Sequence, residues 1–254
     1  MNHLNFGVQT YFMRLLFSLL AVFTIVTAQA QTADEIINKY IEAMGGKEKL
    51  NSIKSLYMEG TSVMQNGAEV TQRTWKVNGL LYRQETESSM FKMVVLVTDK
   101  AGWRQNPRNG GNFEPMTAEM LSNMQNQMDC AGPLVDYAAK GHTVELLGKE
   151  DVEEVECWKI KLTLKSGQDL TFFFDPTTNY ILRMSSKGGF GGGGRSGGQG
   201  GGDVERKIDY SDYKKTDDGF VFPFKISPVG MGGGIFFEKI EVNKTVDSKL
   251  YKPE

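Results

Sequence analysis

Residues 170–184 read LTFFFDPTTNYILRM and begin the strand-and-turn sequence from which the fold of this chain is predicted. Three further segments of the same kind follow it: VERKIDYSDYKK (204–215), GFVFPFKIS (219–227) and GIFFEKIEVNKTVDSKLYKPE (234–254). Short aromatic and β-branched segments bounded by Asp-Pro, Asp-Gly and Gly clusters are typical of antiparallel strands joined by tight turns. The last third of the chain therefore predicts an antiparallel sheet.

The same pattern extends upstream through most of the chain. Asn66-Gly67, Asn78-Gly79 and Ser166-Gly167 are hairpin signals between strand-like segments. Counting such segments gives roughly ten strands and three helices. We therefore predict a mainly β (α+β) protein in which residues 31–254 form a single domain.

An amphipathic helix should open this domain. Five apolar residues recur on one helical face between positions 36 and 44, and Gly45-Gly46 ends the pattern. A helix with such a stripe must pack on another element, which here is the sheet. A later short helix is predicted for LVDYAAK, residues 134–140.

Four methionines form the most suggestive side-chain pattern. Met116, Met120, Met124 and Met128 occur at a spacing of four, and Thr117 is a candidate N-cap. Residues four apart lie on one side of a helix, so the four thioethers should share a face. Because Met adapts to irregular partners, this face is interpreted either as a deformable lid over an apolar groove or as the core side of a packed helix.

A glycine-rich segment interrupts the strands. Residues 188–202 contain eleven Gly in fifteen residues. Such a segment cannot bury enough apolar surface to offset its ordering entropy. We predict a flexible loop that joins two antiparallel strands, and a phosphate-binding loop is disfavoured because no Lys-Ser/Thr pair follows.

The N-terminal residues 1–30 have the pattern of a secretory signal peptide. Arg14 precedes an apolar stretch, and Ala28-Gln29-Ala30 supplies the small residues of a cleavage site. The apolar stretch is shorter than the roughly 20 residues that a spanning helix needs. No Cys follows it, so we expect an exported chain that is cleaved near Ala30 and not lipidated.

No residue set points to catalysis. The chain after residue 30 has one histidine, His142, and it lacks HExxH, CxxC and GxSxG motifs. We therefore predict a non-catalytic protein with no metal and no cofactor. The net charge of −2 gives no reason to expect nucleic acid or an anionic membrane surface as a partner. Cys130 and Cys157 form either a disulfide or two buried thiols.

GFVFPFKI and IEVNKTVDSKLYKP, near the C-terminus, resemble the LolA-like outer-membrane lipoprotein-sorting family, and YIEAMGGKEKLNSIKS (40–55) is similar to the version of this family common in Bacteroidetes. GFVFPFKI is followed by IEVNKTVDSKLYKP, and the positions shared with the family pattern are Gly219, Pro223, Asn243, Asp247, Tyr251 and Pro253. FFFDPTTNYILRM matches the family's Asp-Pro turn, and RTWKVNGLLYR with VLVTDKAGWRQNP resembles its early hairpin. The resemblance covers most of residues 32–254.

This resemblance implies an unclosed, strongly curved antiparallel β-barrel with helices that cover its concave face. In the family, the concave side carries lipid acyl chains through the periplasm. The resemblance thus implies a monomeric periplasmic carrier that exchanges a lipoprotein or another acylated ligand with inner- and outer-membrane transport partners. Lys76 stands where the family has an Arg that helps to release cargo, and Arg83 matches a second basic position.

Alternation along the strands adds candidates for the wall of the cavity beneath the methionine lid. They are Trp75, Leu81, Met93, Val95 and Phe172. The leading hypothesis is a carrier for acyl chains. One alternative is an envelope scaffold of the same fold that binds a protein and fills its concave side with its own side chains. Another is an envelope enzyme, which would require convergent acids or His142 with perturbed pKa values in a cleft.

Overall fold

Strands joined by tight turns make up most of the protein, as the sequence predicts. The computed structural model describes residues 31–64, 66–105, 110–187, 205–230 and 233–254, so the predicted signal peptide and glycine-rich loop lie outside the described residues. The helices are α1 (Ala33–Ala43), α2 (Lys47–Asn51) and α3 (Ala118–Gln125), and 3-10 turns cover Asn126–Met128 and Ser248–Tyr251. The strands are β1 (Ser55–Val63), β2 (Glu69–Val77), β3 (Leu81–Ser88), β4 (Lys92–Thr98), β5 (Gly102–Gln105), β6 (Phe113–Pro115), β7 (Thr143–Val152), β8 (Val155–Thr163), β9 (Asp169–Phe174), β10 (Ile181–Lys187), β11 (Glu205–Lys215), β12 (Val221–Pro228) and β13 (Ile235–Val242).

All thirteen strands of the described residues belong to one antiparallel sheet. Its order is β6-β5-β4-β3-β2-β1-β13-β12-β11-β10-β9-β8-β7. The chain therefore folds as two meanders, β1–β6 and β7–β13, which meet where β1 pairs with β13. Within the described ranges the outermost strands β6 and β7 do not pair with each other, so the sheet is open.

The sheet is strongly curved, and the short 3-10 turn after α3 shows in which direction. Met128 accepts a hydrogen bond from Gly79 N in the β2–β3 turn at 3.3 Å, and Asn126 Nδ2 donates to Ser166 Oγ in the β8–β9 turn at 3.4 Å. A flat sheet would separate β2 from β9 by six strand spacings, about 29 Å. Because one 3-10 turn reaches both hairpins, the sheet bends around it, and the face that carries α3 is the concave face.

The main hydrophobic core lies between α1 and the concave face, and its buried residues on the sheet come from β1, β8, β9, β10 and β13. Ile36, Ile37 and Ile41 of α1 are buried and belong to one cluster with Phe172 and Phe174. The predicted apolar stripe of the first helix is thereby confirmed, and it packs on the sheet as expected. α1 ends at Ala43, and Gly45, two residues later, has a positive φ of 111°, which a residue with a β-carbon does not adopt easily.

The predicted helix at residues 134–140 is wrong. These residues form a series of turns, with Leu134 and Val135 buried in the main core. Asp136 has a φ of 53°, in the left-handed region, which ends any right-handed helix after two residues. Asp136 accepts from Asn51 Nδ2 at 2.8 Å and pairs with Lys47, and these contacts with α2 fix the turn.

The convex face of β3 and β4 is covered by the C-terminal segment. Arg83 is the anchor: its Nη1 donates to the carbonyls of Leu250 at 3.3 Å and Lys252 at 3.1 Å, and its Nε donates to Glu85 at 2.8 Å. Leu81 is fully buried on this face. Large apolar residues are therefore buried on both faces of this part of the sheet.

Candidate ligand-binding site on the concave face

The predicted methionine helix is present, although only part of it is α-helical. Thr117 caps α3, as expected, by accepting from Met120 N at 3.2 Å. Met116 precedes the helix and Met128 lies in the following 3-10 turn, yet all four methionines belong to one cluster. We call residues 116–128 the cover segment.

The cover segment packs on β3 and β4 through apolar side chains. Met124 and Met128 are buried, whereas Met116 and Met120 are half-buried. Their partners are Leu121 of α3 and three concave-face residues, Tyr82, Val95 and Val97. This cluster is separate from the main core beneath α1.

A few hydrogen bonds hold the two ends of the cover segment to the rim of the sheet. At its start, Met116 N donates to Gly102 O at 2.8 Å. Near its end, Gln125 Nε2 donates to the carbonyls of Thr98 at 3.3 Å and Asp99 at 3.1 Å. The middle of the cover segment therefore rests on β4 by apolar contact.

Gly102 permits the close approach of the cover segment to β5. A β-carbon at this position would lie 2.7 Å from Met116 Sδ and 3.1 Å from Leu121 Cδ1. A side chain here would force the side chains of Met116 and Leu121 to shift from their present packing against β5.

The strand register separates the predicted wall residues into two groups. Val95 lies on the concave face in the methionine cluster, and Met93, two residues before it, shares that face. Phe172 also lies on the concave face, but it belongs to the main core under α1. The structure thus brings Met93 and Val95 to the cover segment and places Phe172 elsewhere.

Trp75 and Leu81 lie on the convex face, which corrects their predicted place in the cavity wall. Trp75 pairs directly with Arg83, and Leu81 lies two residues before Arg83 on β3. Since directly paired residues and residues two apart share a face, both belong with Arg83 beneath or beside the C-terminal segment. The register prediction was off by one residue in these two strands.

The two predicted basic positions lie on opposite faces. Arg83 is bound on the convex face, where its guanidinium holds the C-terminal segment and cannot reach the cavity side. Lys76 pairs with Tyr82 and therefore lies on the concave face. Its Nζ is 5.8 Å from the centroid of the Tyr82 ring. Burial lowers the pKa of the Lys76 ammonium, although nearby Cys130 and Asp129 act in the opposite direction.

A row of polar side chains on the concave face was not identified from the sequence. Its members share the face with Lys76 by register: Gln72, Thr74, Lys76, Tyr82 and Gln84. We call them the polar row. Burial raises the pKa of Tyr82, so its hydroxyl stays protonated and can donate a hydrogen bond. The alternation that marks this row is visible in VTQRTWKV and LLYRQETE, where every second residue is polar. It does not show which face is concave, because neither face of these strands is purely apolar.

The two cysteines are buried thiols and not a disulfide. Cys130 belongs to the main core on the concave side, whereas Cys157 packs with Val152 and Phe173 in a separate cluster. Cys157 is three residues from Ile160 of the main core, so it points to the opposite, convex face. The sheet therefore lies between the two sulfur atoms.

This arrangement predicts the reactivity of both thiols. Burial raises the pKa of Cys130 and of Cys157 to about 11, so little thiolate exists at pH 8. Titration with a thiol-exchange chromophore should detect two thiols per chain in denaturant and almost none in the first minutes under native conditions. Detection of no thiol in denaturant without reductant would contradict the two separate clusters.

The described residues contain no candidate metal centre and no helix suited to crossing a membrane. No group of three or more His, Cys, Asp or Glu among them is arranged to hold an ion, and none of their helices is long and apolar enough to span a bilayer. His142 accepts a hydrogen bond from Lys165 N at 3.0 Å, and burial lowers its pKa. This histidine therefore contributes to the turn beside it.

Comparison with known proteins identifies the fold. No family model and no curated protein match the sequence. Among solved structures, a DUF1329 family protein from Desulfovibrio piger matches with a TM-score of 0.50 and 12% identity, over 86% of this chain and 96% of that chain. A LolA superfamily protein from Nitrosomonas europaea matches with a TM-score of 0.51 and 12% identity, over 88% and 99%. A putative outer membrane lipoprotein-sorting protein domain from Vibrio parahaemolyticus gives a TM-score of 0.48 and 9% identity, over 85% and 94%.

The two matches with the higher scores extend over nearly the whole of the compared chains. They agree with the single open, curved antiparallel sheet and with helices on its concave face. The protein therefore has the LolA-like fold that its C-terminal residues indicate.

Proposed function

We propose that this protein is a non-catalytic periplasmic carrier that binds lipoprotein acyl chains, or a related hydrophobic ligand, on the concave face of its sheet. Inner- and outer-membrane transport proteins would supply and receive the ligand. The fold that this chain shares with a LolA superfamily protein is consistent with such a role. The binding surface would lie between the cover segment and the concave face of the sheet.

The observation that carries the proposal is the separation of the methionine cluster from the main core. Ile37 and Phe174 stabilise the sheet through α1, whereas Met124 and Met128 contact β3 and β4 in a cluster of their own. The cover segment can therefore move away from the sheet without disrupting the main core.

The cover segment is also held weakly enough to be displaced. An eight-residue helix has little stability of its own in water and depends on tertiary packing. Thioether side chains are flexible and adapt to different apolar partners. An acyl chain gains about 0.8 kcal/mol for each buried CH₂, so a chain of about ten carbons gains roughly 8 kcal/mol before ordering costs. That gain exceeds the loss of a few rim hydrogen bonds of about 1 kcal/mol each.

A scaffold that binds protein without lipid is the alternative function, and one observation favours it. α1 and the segment from Cys130 to Val135 fill the concave side over β8–β10 with the protein's own side chains. Over β8–β10 the concave face is therefore already occupied. If the cover segment never opens, β3 and β4 stay covered as well, and the concave face has no room for cargo. The carrier proposal therefore places the ligand only at β2–β5.

Native mass spectrometry of protein purified from its own periplasm distinguishes the two functions. A carrier should retain a ligand whose mass and extracted lipids identify acyl chains. A matched preparation of the Val95→Glu, Met124→Glu double variant, with charges on both sides of the methionine cluster, should lose it. Wild-type protein that is consistently free of lipid and lipoprotein would contradict the carrier role.

A further inference from the structure

The concave face of β2 and β3 differs from its neighbours because it is polar. The polar row contributes two amides, two hydroxyls and one ammonium to this face. On one side β1 presents Leu56 and Met58, and on the other β4 presents Val95 and Val97. A polar strip two strands wide therefore runs between two apolar walls.

The side chains of the polar row make no hydrogen bond or ion pair with any described residue. This contrasts with the charged residues on the convex face of the same two strands. There, Arg73 contacts Glu59 and Glu87, and Arg83 binds Glu85. The unpaired and the paired side chains lie on opposite faces of the same two strands. The position of these strands in the sheet or near a chain end therefore does not explain why only one face is paired.

The polar atoms of this row are also not sealed inside the protein. Within the described residues, Gln105 Oε1 is the one buried side-chain nitrogen or oxygen atom without a partner. The unpaired atoms of the polar row therefore reach accessible space on the concave face. Buried or half-buried polar groups are normally satisfied, so these atoms are positioned to bind water or a ligand.

Lys76 is the charged member of the row and lacks a carboxylate partner. The carboxylate that acts on the Lys76 pKa is that of Asp129, whose Oδ2 already accepts from Lys140 Nζ at 2.6 Å. Asp129 Oδ1 accepts from Ala131 N at 3.1 Å. A half-buried ammonium next to apolar walls is costly unless an anion accompanies it.

We propose that the ligand is an anionic amphiphile whose carboxylate or phosphate pairs with Lys76, while its alkyl chain lies against the methionine cluster. Thr74, two residues from Lys76, and Gln84, directly opposite Thr74, would hydrogen-bond the rest of the head group. The carbonyl of Met128, the last residue of the cover segment, accepts from Gly79 N beside the start of β3, so head group and chain can occupy adjacent space. This inference rests on the proposed function, because it assigns a polar end to the same ligand site.

Competition with an uncharged fluorescent probe tests the assignment on the full chain. N-phenyl-1-naphthylamine reports the apolar site, and dodecanoate, dodecyl phosphate and dodecanol compete for it with the same C12 chain. Because a charge-assisted hydrogen bond strengthens binding, at least one of the two anions should bind about tenfold more tightly than dodecanol, as measured by displacement of the probe. The anion that binds more tightly shows whether the charged group of the ligand is a carboxylate or a phosphate.

Three variants and one further competitor make the result specific. Lys76→Met should abolish the preference for the anions while leaving dodecanol binding unchanged, and Lys76→Arg should retain the preference. Lys100→Met removes an exposed lysine from the β4–β5 turn and should behave like the wild type. Inorganic phosphate should not displace the probe, because it lacks a chain, and thermal unfolding confirms that each variant is folded.

The outcomes separate this inference from the proposed function. Equal binding of anions and dodecanol to the wild type, or an unchanged preference in Lys76→Met, would overturn the head-group assignment and leave an apolar site. Displacement by inorganic phosphate at dodecanoate-like concentrations would also overturn it. If neither the probe nor dodecanol binds the wild type, the proposed function fails, and the head-group assignment fails with it.

Discussion

Arg83→Ala should lower the free energy of unfolding by about 3–5 kcal/mol, because it breaks a buried ion pair and releases the C-terminal segment. The side chains of Arg83 and Glu85 are only 5% and 11% exposed. The substitution leaves the Glu85 carboxylate without its main partner and the Leu250 and Lys252 carbonyls without their donor. Urea unfolding followed by circular dichroism measures the change.

Arg73→Ala is the matched control for this prediction. Arg73 also lies on the convex face and pairs with two carboxylates, but its side chain is 32% exposed. Exposed ion pairs contribute about 0–1 kcal/mol. Equal losses of stability in the two variants would contradict the structural role assigned to Arg83.

The effect of Arg83→Ala should also depend on pH. Burial raises the pKa of Glu85, but the hydrogen bond and charge of Arg83, together with Lys92, outweigh it and hold that pKa below its ordinary value. A lowered folded-state pKa stabilises the protein above the unfolded pKa, and this contribution is lost as the pH falls through the folded value. The difference in the free energy of unfolding between the variant and the wild type should therefore be largest near neutral pH and should become smaller below about pH 4.

Phe174→Ala should lower the free energy of unfolding by about 3–5 kcal/mol, because it leaves a cavity in the main core. Phe174 is 1% exposed and packs edge-to-face on Tyr40 of α1, with ring centroids 5.6 Å apart. Since the methionine cluster is separate, binding of N-phenyl-1-naphthylamine should be unchanged below the unfolding transition.

Phe236→Ala serves as the comparison, because Phe236 lies in β13 of the same meander. Phe236 is 52% exposed, and its ring is 5.1 Å from Lys225 Nζ. Loss of this contact should cost no more than about 1 kcal/mol. If Phe174→Ala were equally mild, α1 would not be the element that stabilises the concave side.

Hairpin chemistry made most of the fold predictable from the sequence. Asn78-Gly79 and Ser166-Gly167 lie in turns between neighbouring strands, and both glycines have a positive φ, which explains the residue choice. Thr117 likewise caps the helix that its position indicates. The sequence predicts roughly ten strands, whereas the described residues form thirteen. Short pairings such as β5 with β6 give too little sequence pattern to detect.

The candidate site was only partly predictable, because both faces of β3 carry buried residues. The C-terminal segment, more than 160 residues away in sequence, covers Leu81 and Arg83 on the convex face. Alternation alone therefore favoured Trp75 and Leu81 for the cavity and missed the polar row around Thr74. Which face is concave follows from the long-range contacts of the cover segment, and those contacts leave no local pattern.

Photolabelling gives the most direct test of a ligand site between the cover segment and β4. A dodecanoate with a diazirine at its terminal carbon would be bound, irradiated and located by peptide mass spectrometry. We expect the label in residues 116–128 and 92–98, with competition by unlabelled dodecanoate. Saturable labelling confined to the convex face, such as the C-terminal segment from Ser248 to Tyr251, would contradict the account.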